Sequence, residues 1–188
     1  MENQQENMKL QYKIQDGHKT EDYMLLKYEA ILPAELLNIW QKYGFATLFD
    51  GYLRVINPDD FQELLIETYF RGNLSIPIFS TAFGDIITLE EKQYIGIVRY
   101  KSGQFGFLTK GFQRFLSNLE DKYFTQKYFE LPQYAAAVER LGTLAPDECF
   151  GYVPLLGLGG AKKIENLHKV KCREHIELIS QLVGKIGM

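Results

Sequence analysis

The chain has 188 residues, a formal net charge of −3 and a pI near 5.7. A globular chain of this length buries roughly 70% of the surface that its unfolded form exposes, so its core needs no disulfide or metal for stability. The mild acidity argues against nucleic acid as a direct ligand, because such binding draws most of its affinity from lysine and arginine contacts to phosphates.

The sequence also predicts a cytoplasmic protein that is not inserted in a membrane. Its two cysteines are Cys149 and Cys172, and no positively charged leader precedes an apolar run. A secreted disulfide framework is therefore not expected. No apolar stretch approaches the ~20 residues needed to cross a bilayer. We expect free thiols in a reducing compartment.

Residues 1–17 predict a flexible N-terminal segment. Its first eight positions are polar and show no repeating apolar position, which is typical of a chain terminus. Within this segment, Leu10, Tyr12 and Ile14 alternate with polar residues and predict a short strand before a turn at Asp16.

Two helices with a strand between them are predicted next. Pro33 suits a helix start, and Gly44 suits its end. Alternating residues over Gly51–Ile56 predict the strand. Asn57 is a good N-cap and Pro58 a good first helical residue, so a second helix follows at once.

Short β-rich runs separated by turns follow, and they predict an antiparallel meander. Lys101 falls in one of these turns. The four predicted strands are Ile76–Ala82, Asp85–Leu89, Tyr94–Tyr100 and Phe105–Leu108.

The pattern becomes helical again after Gly111, with a short helix ending at Gly142. Strands are predicted over Tyr152–Leu158 and Leu167–Lys171, and a final amphipathic helix over Glu174–Val183. The resulting fold class is α+β: an antiparallel β-meander with flanking helices and a C-terminal α/β extension that shares its core. We expect a soft boundary between domains 18–110 and 111–188.

A group of cysteine and histidine residues near the C-terminus is the first candidate for chemistry. His168, Cys172 and His175, with Cys149 upstream, could hold zinc if their side chains converged. Their spacing crosses a predicted junction between a strand and a helix, and free cysteine is commonly a buried small residue. The pattern therefore favours structural cysteines, and no metal or other cofactor is expected.

A cysteine nucleophile is the second candidate. Cys149 could be activated by His168 or His175, with Asp147 or Glu148 to orient the base. The sequence shows none of the local motifs that place a thiolate beside a base in a cleft. We expect no catalytic residues and no enzymatic activity.

Acidic and aromatic residues on predicted loops form the third candidate, a partner-binding surface. Carboxylates steer and discriminate a basic partner, while aromatic rings supply buried contact area. The alternative is that these residues only form turns beside glycine or cap a hairpin. The candidate residues are Asp50, Tyr52, Asp85, Glu90, Glu91 and Tyr94.

Two stretches carry a family resemblance. Leu32–Phe61 reads LPAELLNIWQKYGFATLFDGYLRVINPDDF, and Ile76–Tyr100 reads IPIFSTAFGDIITLEEKQYIGIVRY. Their combination resembles the GAD-like domain and, more broadly, SUKH-like immunity proteins. From about Phe112 onward, LAPDECFGYVPLLGLGG and VKCREHIELISQLVG resemble the Tdi-type immunity domain of bacterial type VI secretion systems.

The resemblance implies a protein that binds and blocks a cognate secreted toxin, with a DNase as the expected target. An acidic inhibitor suits that role, because a nuclease site built for phosphates also attracts carboxylates. Two alternatives stay open. The GAD name suggests an accessory role near tRNA-processing enzymes, and the cysteines and histidines would allow a thiol- or metal-dependent enzyme.

Overall fold

The computed structural model describes residues 13–187. Its main feature is a seven-stranded sheet in which each strand pairs antiparallel with the next one in the chain. The strands are β1 (Gln15–His18), β2 (Phe45–Leu48), β3 (Leu53–Val55), β4 (Ser75–Thr81), β5 (Ile86–Glu90), β6 (Tyr94–Arg99) and β7 (Gln104–Lys110).

Helices flank this sheet, and a hairpin of two further strands lies beside it. The hairpin consists of β8 (Glu148–Tyr152) and β9 (Leu167–Lys171). The helices in the described part of the chain are α1 (Asp22–Tyr28), α2 (Ala34–Tyr43), α3 (Pro58–Thr68), α4 (Phe112–Leu119), α5 (Lys122–Tyr128), α6 (Leu131–Leu141) and α7 (Cys172–Val183). Among residues 13–187, none of these helices has the length and apolarity required to cross a membrane.

The central strands are buried on both faces. Along β5, Ile87 packs into the larger apolar cluster together with helices α2 and α4, whereas Ile86 packs into a second cluster with α3 and α7. Side chains alternate across a strand, so neighbouring residues reach opposite cores. This arrangement explains why the meander is rich in isoleucine and valine.

The C-terminal residues complete the same cores. Phe115 and Phe150 belong to the larger cluster that contains Leu36 and Trp40, and Ile176 belongs to the second cluster. The α+β fold class with a C-terminal extension that shares the core is therefore confirmed.

Several predicted elements are confirmed. Helix α2 begins after Pro33 and ends at Gly44, and the four strands of the meander lie where they were expected. Before α3, the Asn57 side-chain oxygen accepts a hydrogen bond from the Asp59 N–H at 3.1 Å. This contact is the N-cap that the sequence predicted.

The N-terminal prediction is corrected in part. Leu10 and Tyr12 lie outside the described residues, but the turn at Asp16 is wrong because β1 continues through it. Gly17 lies so close to the Phe45 carbonyl of β2 that any Cβ would collide with that backbone. This glycine therefore permits a close approach between strands.

The predicted strand over Tyr152–Leu158 is also wrong. Strand β8 ends at Tyr152, and Leu156–Leu158 form a 3-10 helix instead. Pro154 has no N–H to donate to a strand ladder. Leu155 is buried in the second cluster, so the apolar run reflects burial without strand pairing.

Candidate functional site

The six residues of the predicted partner surface do not form one patch. Asp85 precedes β5, and Glu90 is its last residue. At about 3.4 Å per residue, these two positions are about 17 Å apart. One group of candidates therefore lies at each end of β5. We call the end at Asp85 the near end and the end at Glu90 the far end.

At the far end of β5, the buried carboxylate of Glu90 accepts hydrogen bonds from several side chains. Ser75 Oγ donates to its carboxylate at 2.7 Å and Thr88 Oγ1 at 2.6 Å. Arg71 Nε donates to Glu90 at 3.2 Å, while its terminal nitrogen pairs with the exposed Glu91 at 2.5 Å. Hydrogen bonds to Glu91 and Glu90 raise the pKa of Arg71. Glu90 is thus part of a buried hydrogen-bond network, and Glu91 faces solvent.

Tyr94 lies at the edge of the same end. Its ring meets the ring of Phe107 edge-on, with centroids 5.7 Å apart, and the Lys110 ammonium lies 5.5 Å from the Tyr94 centroid. Phe107 belongs to the outermost strand of the sheet and is 54% exposed. Glu91, Tyr94 and Phe107 therefore give this end an aromatic surface with one exposed carboxylate, which is paired with Arg71.

At the near end, Asp50 is exposed and Tyr52 is buried. Asp50 pairs with Lys13 at 2.5 Å, and its carbonyl accepts a hydrogen bond from the Tyr134 hydroxyl at 2.7 Å. Tyr52 is 1% exposed, and its hydroxyl accepts from the Glu130 N–H at 3.2 Å. Burial raises the pKa of Tyr52. The expectation of exposure fails for Tyr52, as it does for Asp85 and Glu90, while the partner-binding role stays a prediction.

A chain of alternating charges leads from the interior to the surface at this end. Lys101 Nζ lies 2.6 Å from Asp85 and 2.7 Å from Glu130, and Lys162 Nζ lies 2.8 Å from Glu130. Asp85 is fully enclosed, Lys101 and Glu130 are partly so, and Lys162 is exposed. The ion pair with Lys101 offsets part of the cost of burying Asp85, while the Oδ1 atom of Asp85 has no hydrogen-bond partner among residues 13–187.

The chain shifts the pKa of each of its buried members: burial raises the pKa of Asp85 despite the attraction of Lys101. Burial alone would lower the pKa of Lys101, but the attraction of Asp85 and Glu130 outweighs burial and raises it. Burial alone would raise the pKa of Glu130, but Lys101 and Lys162 outweigh it, and the net pKa is lowered. Lys101 and Glu130 are therefore both charged at neutral pH.

Two cavities adjoin these charges. One, of about 360 Å³, is largely apolar, and the other, of about 330 Å³, is lined mainly by cationic and polar side chains. Lys101, Ser102 and Leu156 line both. We call the combined depression the junction groove. Its other walls include Phe83, Tyr100, Phe150, His175 and Leu182 in the apolar half, and Arg99, Lys127, Glu130 and Lys162 in the cationic half.

The two cysteines lie beside each other in the interior. Cys149 and Cys172 are free and buried, and their hydrogen bond, together with burial, raises the pKa of Cys149. Burial lowers the pKa of His175, whose ring packs against Gly151, and His168 is exposed. Within residues 13–187 there is no group of three or more histidine, cysteine, aspartate or glutamate side chains suited to a metal.

The two acids considered as orienting groups have other partners. Asp147 pairs with Lys171 at 2.5 Å on the surface. Glu148 accepts a hydrogen bond from the Ala145 N–H at 2.9 Å and so closes the loop before β8. Both contacts are local and explain these carboxylates structurally.

Sequence reasoning missed the members of the charge chain other than Asp85. Lys101 lies in a segment that reads as an ordinary turn, and Glu130 and Lys162 follow no motif. Their partners are far away in the chain, so periodicity and spacing carry no signal for them. The one available hint was a carboxylate, Asp85, between strongly apolar segments.

The fold is α+β, and the junction groove is lined by residues from both halves of the chain. The chain belongs to the GAD-like domain family, whose model matches residues 4–101, and the model described as T6SS immunity protein Tdi1, C-terminal, matches residues 109–183. The predicted architecture is thereby confirmed. These matches support a role as a type VI secretion immunity protein.

A solved structure shares the fold. The crystal structure of Atu4351 from Agrobacterium tumefaciens superimposes with a TM-score of 0.77 at 16% sequence identity, covering 94% of this chain and 88% of that chain. At this identity, the likeness concerns the fold. No curated protein matches the sequence significantly.

Proposed function

We propose that this protein binds a cognate type VI secretion toxin, a DNase, and neutralises it by occluding its active site or its nucleic-acid-binding site. The observation that carries the proposal is the match of residues 109–183 to an immunity-protein family, directly after a GAD-like domain. Inhibition by occlusion requires no catalytic step. The proposed setting is the cytoplasm of the cell that must be protected.

The surface at the far end of β5 suits such a partner. Glu91 and Tyr94 are accessible beside Phe107, and Asp50 adds an exposed carboxylate at the near end. A site that binds DNA phosphates is positively charged and attracts carboxylates, which speeds the encounter. Aromatic rings then supply the apolar contact area that slows dissociation.

The charged groups of the interior do not suggest catalysis. Asp85, Lys101 and Glu130 are paired with one another at short distances, and the Cys149 thiol is buried with a raised pKa. A reactive cysteine needs a lowered pKa and access to its substrate. These contacts favour a binding protein.

The first experiment tests the product of the gene that neighbours the one for this chain as the toxin candidate. Calorimetry with an inactivated form of the toxin measures binding. A DNA-cleavage assay with the intact toxin and increasing amounts of this protein measures inhibition. We expect one-to-one binding and loss of cleavage at one equivalent. Binding without loss of cleavage would overturn the inhibitory mechanism, and absence of binding would overturn the immunity role for this pair.

A second experiment addresses the acidic surface. Replacing Asp50 and Glu91 by alanine together should weaken toxin binding several-fold, and the effect should shrink as salt increases. Glu29→Ala, which removes another exposed carboxylate, is the matched control. Equal affinity for both variants would remove Asp50 and Glu91 from the interface.

A further inference from the structure

The apolar half of the junction groove is the cavity of about 360 Å³, and we call it the socket. Both family-matched segments contribute to it: Phe83 and Tyr100 come from the first, and Phe150 comes from the second. Leu182 and Val183 at the end of α7 form its rim and are 47% and 48% exposed. A cavity of about 360 Å³ with an exposed apolar rim is a favourable place to bury a large side chain of a partner.

The cationic half adjoins the socket, because the two have wall residues in common. Lys101, Ser102 and Leu156 line both halves. Arg99 donates to the Tyr128 carbonyl at 3.2 Å, and the Lys127 ammonium lies 5.0 Å from the Tyr128 ring centroid. A carbonyl or an aromatic ring does not neutralise a cation, so both contacts leave positive charge directed at the groove.

The carboxylate of Glu130 does not make the charge of the cationic half negative. Glu130 is shared by Lys101 and Lys162 at 2.7 and 2.8 Å. The groove is therefore locally cationic in a chain whose net charge is −3. This local reversal of charge indicates a partner segment of negative charge.

We infer that the junction groove binds a segment of the cognate toxin in which a large apolar side chain lies next to one or more carboxylates. The apolar side chain fills the socket, and the carboxylates meet Lys127 and Arg99. This inference rests on the proposed function and adds a second contact to it. The exposed carboxylates of Asp50 and Glu91 and the cationic groove together restrict the orientation of the partner, because a reversed complex would place like charges together.

The test compares two pairs of variants for binding to the inactivated toxin. In the socket, Leu182→Asp is matched by Leu178→Asp, which changes a leucine of the same helix that is 48% exposed and lies outside the groove lining. In the cationic half, Lys127→Glu is matched by Lys42→Glu. Each of these lysines lies in the last turn of its helix, with its ammonium 5.0 or 4.9 Å from the ring centroid of the following tyrosine.

We expect the two groove variants to bind at least tenfold more weakly than the wild type, and the two controls to stay within about twofold. The loss caused by Lys127→Glu should diminish at high salt, whereas the loss caused by Leu182→Asp should persist. Circular dichroism and thermal unfolding verify that each variant is folded. If one groove variant unfolds, the other still decides the question.

The possible failures are distinguishable. If the wild type binds the toxin tightly and the groove variants match their controls, the inference is wrong and the proposed function stands. If the wild type does not bind, the proposed function fails and this inference fails with it. If Leu182→Asp changes the mass of the free protein in light scattering but leaves toxin affinity intact, the groove is a contact between copies of this chain, which also overturns the inference.

Discussion

The ammonium of Lys101 lies 2.7 Å from the carboxylate of Glu130, and this ion pair joins the two segments that the two family models match separately. Lys101 is 11% exposed and Glu130 26% exposed. Lys101 also holds the buried Asp85. One side chain thus compensates an interior charge and connects the two halves of the chain.

Replacing Lys101 by methionine should destabilise the protein by about 3–5 kcal/mol, because it leaves the Asp85 carboxylate buried without its cation. Methionine retains much of the apolar stem, so the loss reports mainly on charge. The measurement is the free energy of unfolding in urea. Lys162→Met removes an exposed ammonium from the same chain and should cost less than about 1 kcal/mol. A similarly small loss for both variants would show that Lys101 does not carry the network.

Glu130 should contribute to the pH dependence of the unfolding free energy. Its pKa in the folded protein is lowered from the ordinary value of 4.5, so it contributes stability that is present above that value and is lost as pH falls through the folded pKa. Glu130→Gln should therefore destabilise the protein most at neutral pH. The difference in unfolding free energy from the wild type should shrink below pH 4.5. A difference that stays constant down to acid pH would contradict the lowered pKa.

Gly84 should be harder to replace than another glycine with a similar backbone. Both Gly84 and Gly103 have positive φ, +76° and +66°, but a Cβ at Gly84 would lie 3.2 Å from the Cys149 sulfur, while a Cβ at Gly103 meets open space. The backbone strain of about 1–2 kcal/mol is common to both alanine variants. Gly84→Ala should therefore lower the unfolding free energy further than Gly103→Ala.

The contact with the thiol can be isolated by a double-mutant cycle. Combining Gly84→Ala with Cys149→Ala removes the sulfur that the new methyl group meets. The combined loss should be smaller than the sum of the two single losses by about 0.5 kcal/mol or more. Additive losses would show that Gly84 is required for its backbone conformation alone.

The two cysteines should react slowly in the folded protein. Cys149 and Cys172 are buried, and the hydrogen bond between them and burial raise the pKa of Cys149. Since the thiolate is the reactive form, alkylation with iodoacetamide should proceed slowly at neutral pH and become rapid in urea. Mass spectrometry follows the two additions. Rapid modification of Cys149 in the folded protein would favour the thiol-enzyme alternative.

Local sequence signals succeeded where the partner lies within the same element. Asn57 and Pro58 predict the start of α3, and Gly44 predicts the end of α2. By contrast, β2 was not predicted, although Asp50-Gly51 shortly before β3 is a common hairpin signal. The turn is unusual because Phe49 has a positive φ of 53°, beside Asp50 at 58° and Gly51 at 98°, and bulky residues rarely adopt this conformation.

The candidate site shows the same division. Their positions in predicted turns suggested Asp50 and Glu91 as surface acids, and both are exposed. Nothing local distinguishes Glu91 from its neighbour Glu90, yet Glu90 is buried among donors from other elements. Whether a carboxylate meets water or a hydrogen-bond network depends on what packs above it.

The sequence by itself determined the helix ends, the central meander and the family resemblance, because these depend on neighbours a few residues apart. The tertiary structure alone decided that Lys101 pairs with Asp85 and Glu130, that Tyr52 is buried, and that two cavities share part of their lining. These contacts join residues far apart in the chain. Their energy appears only once the sheet and the C-terminal extension have closed over a common core and excluded water from it.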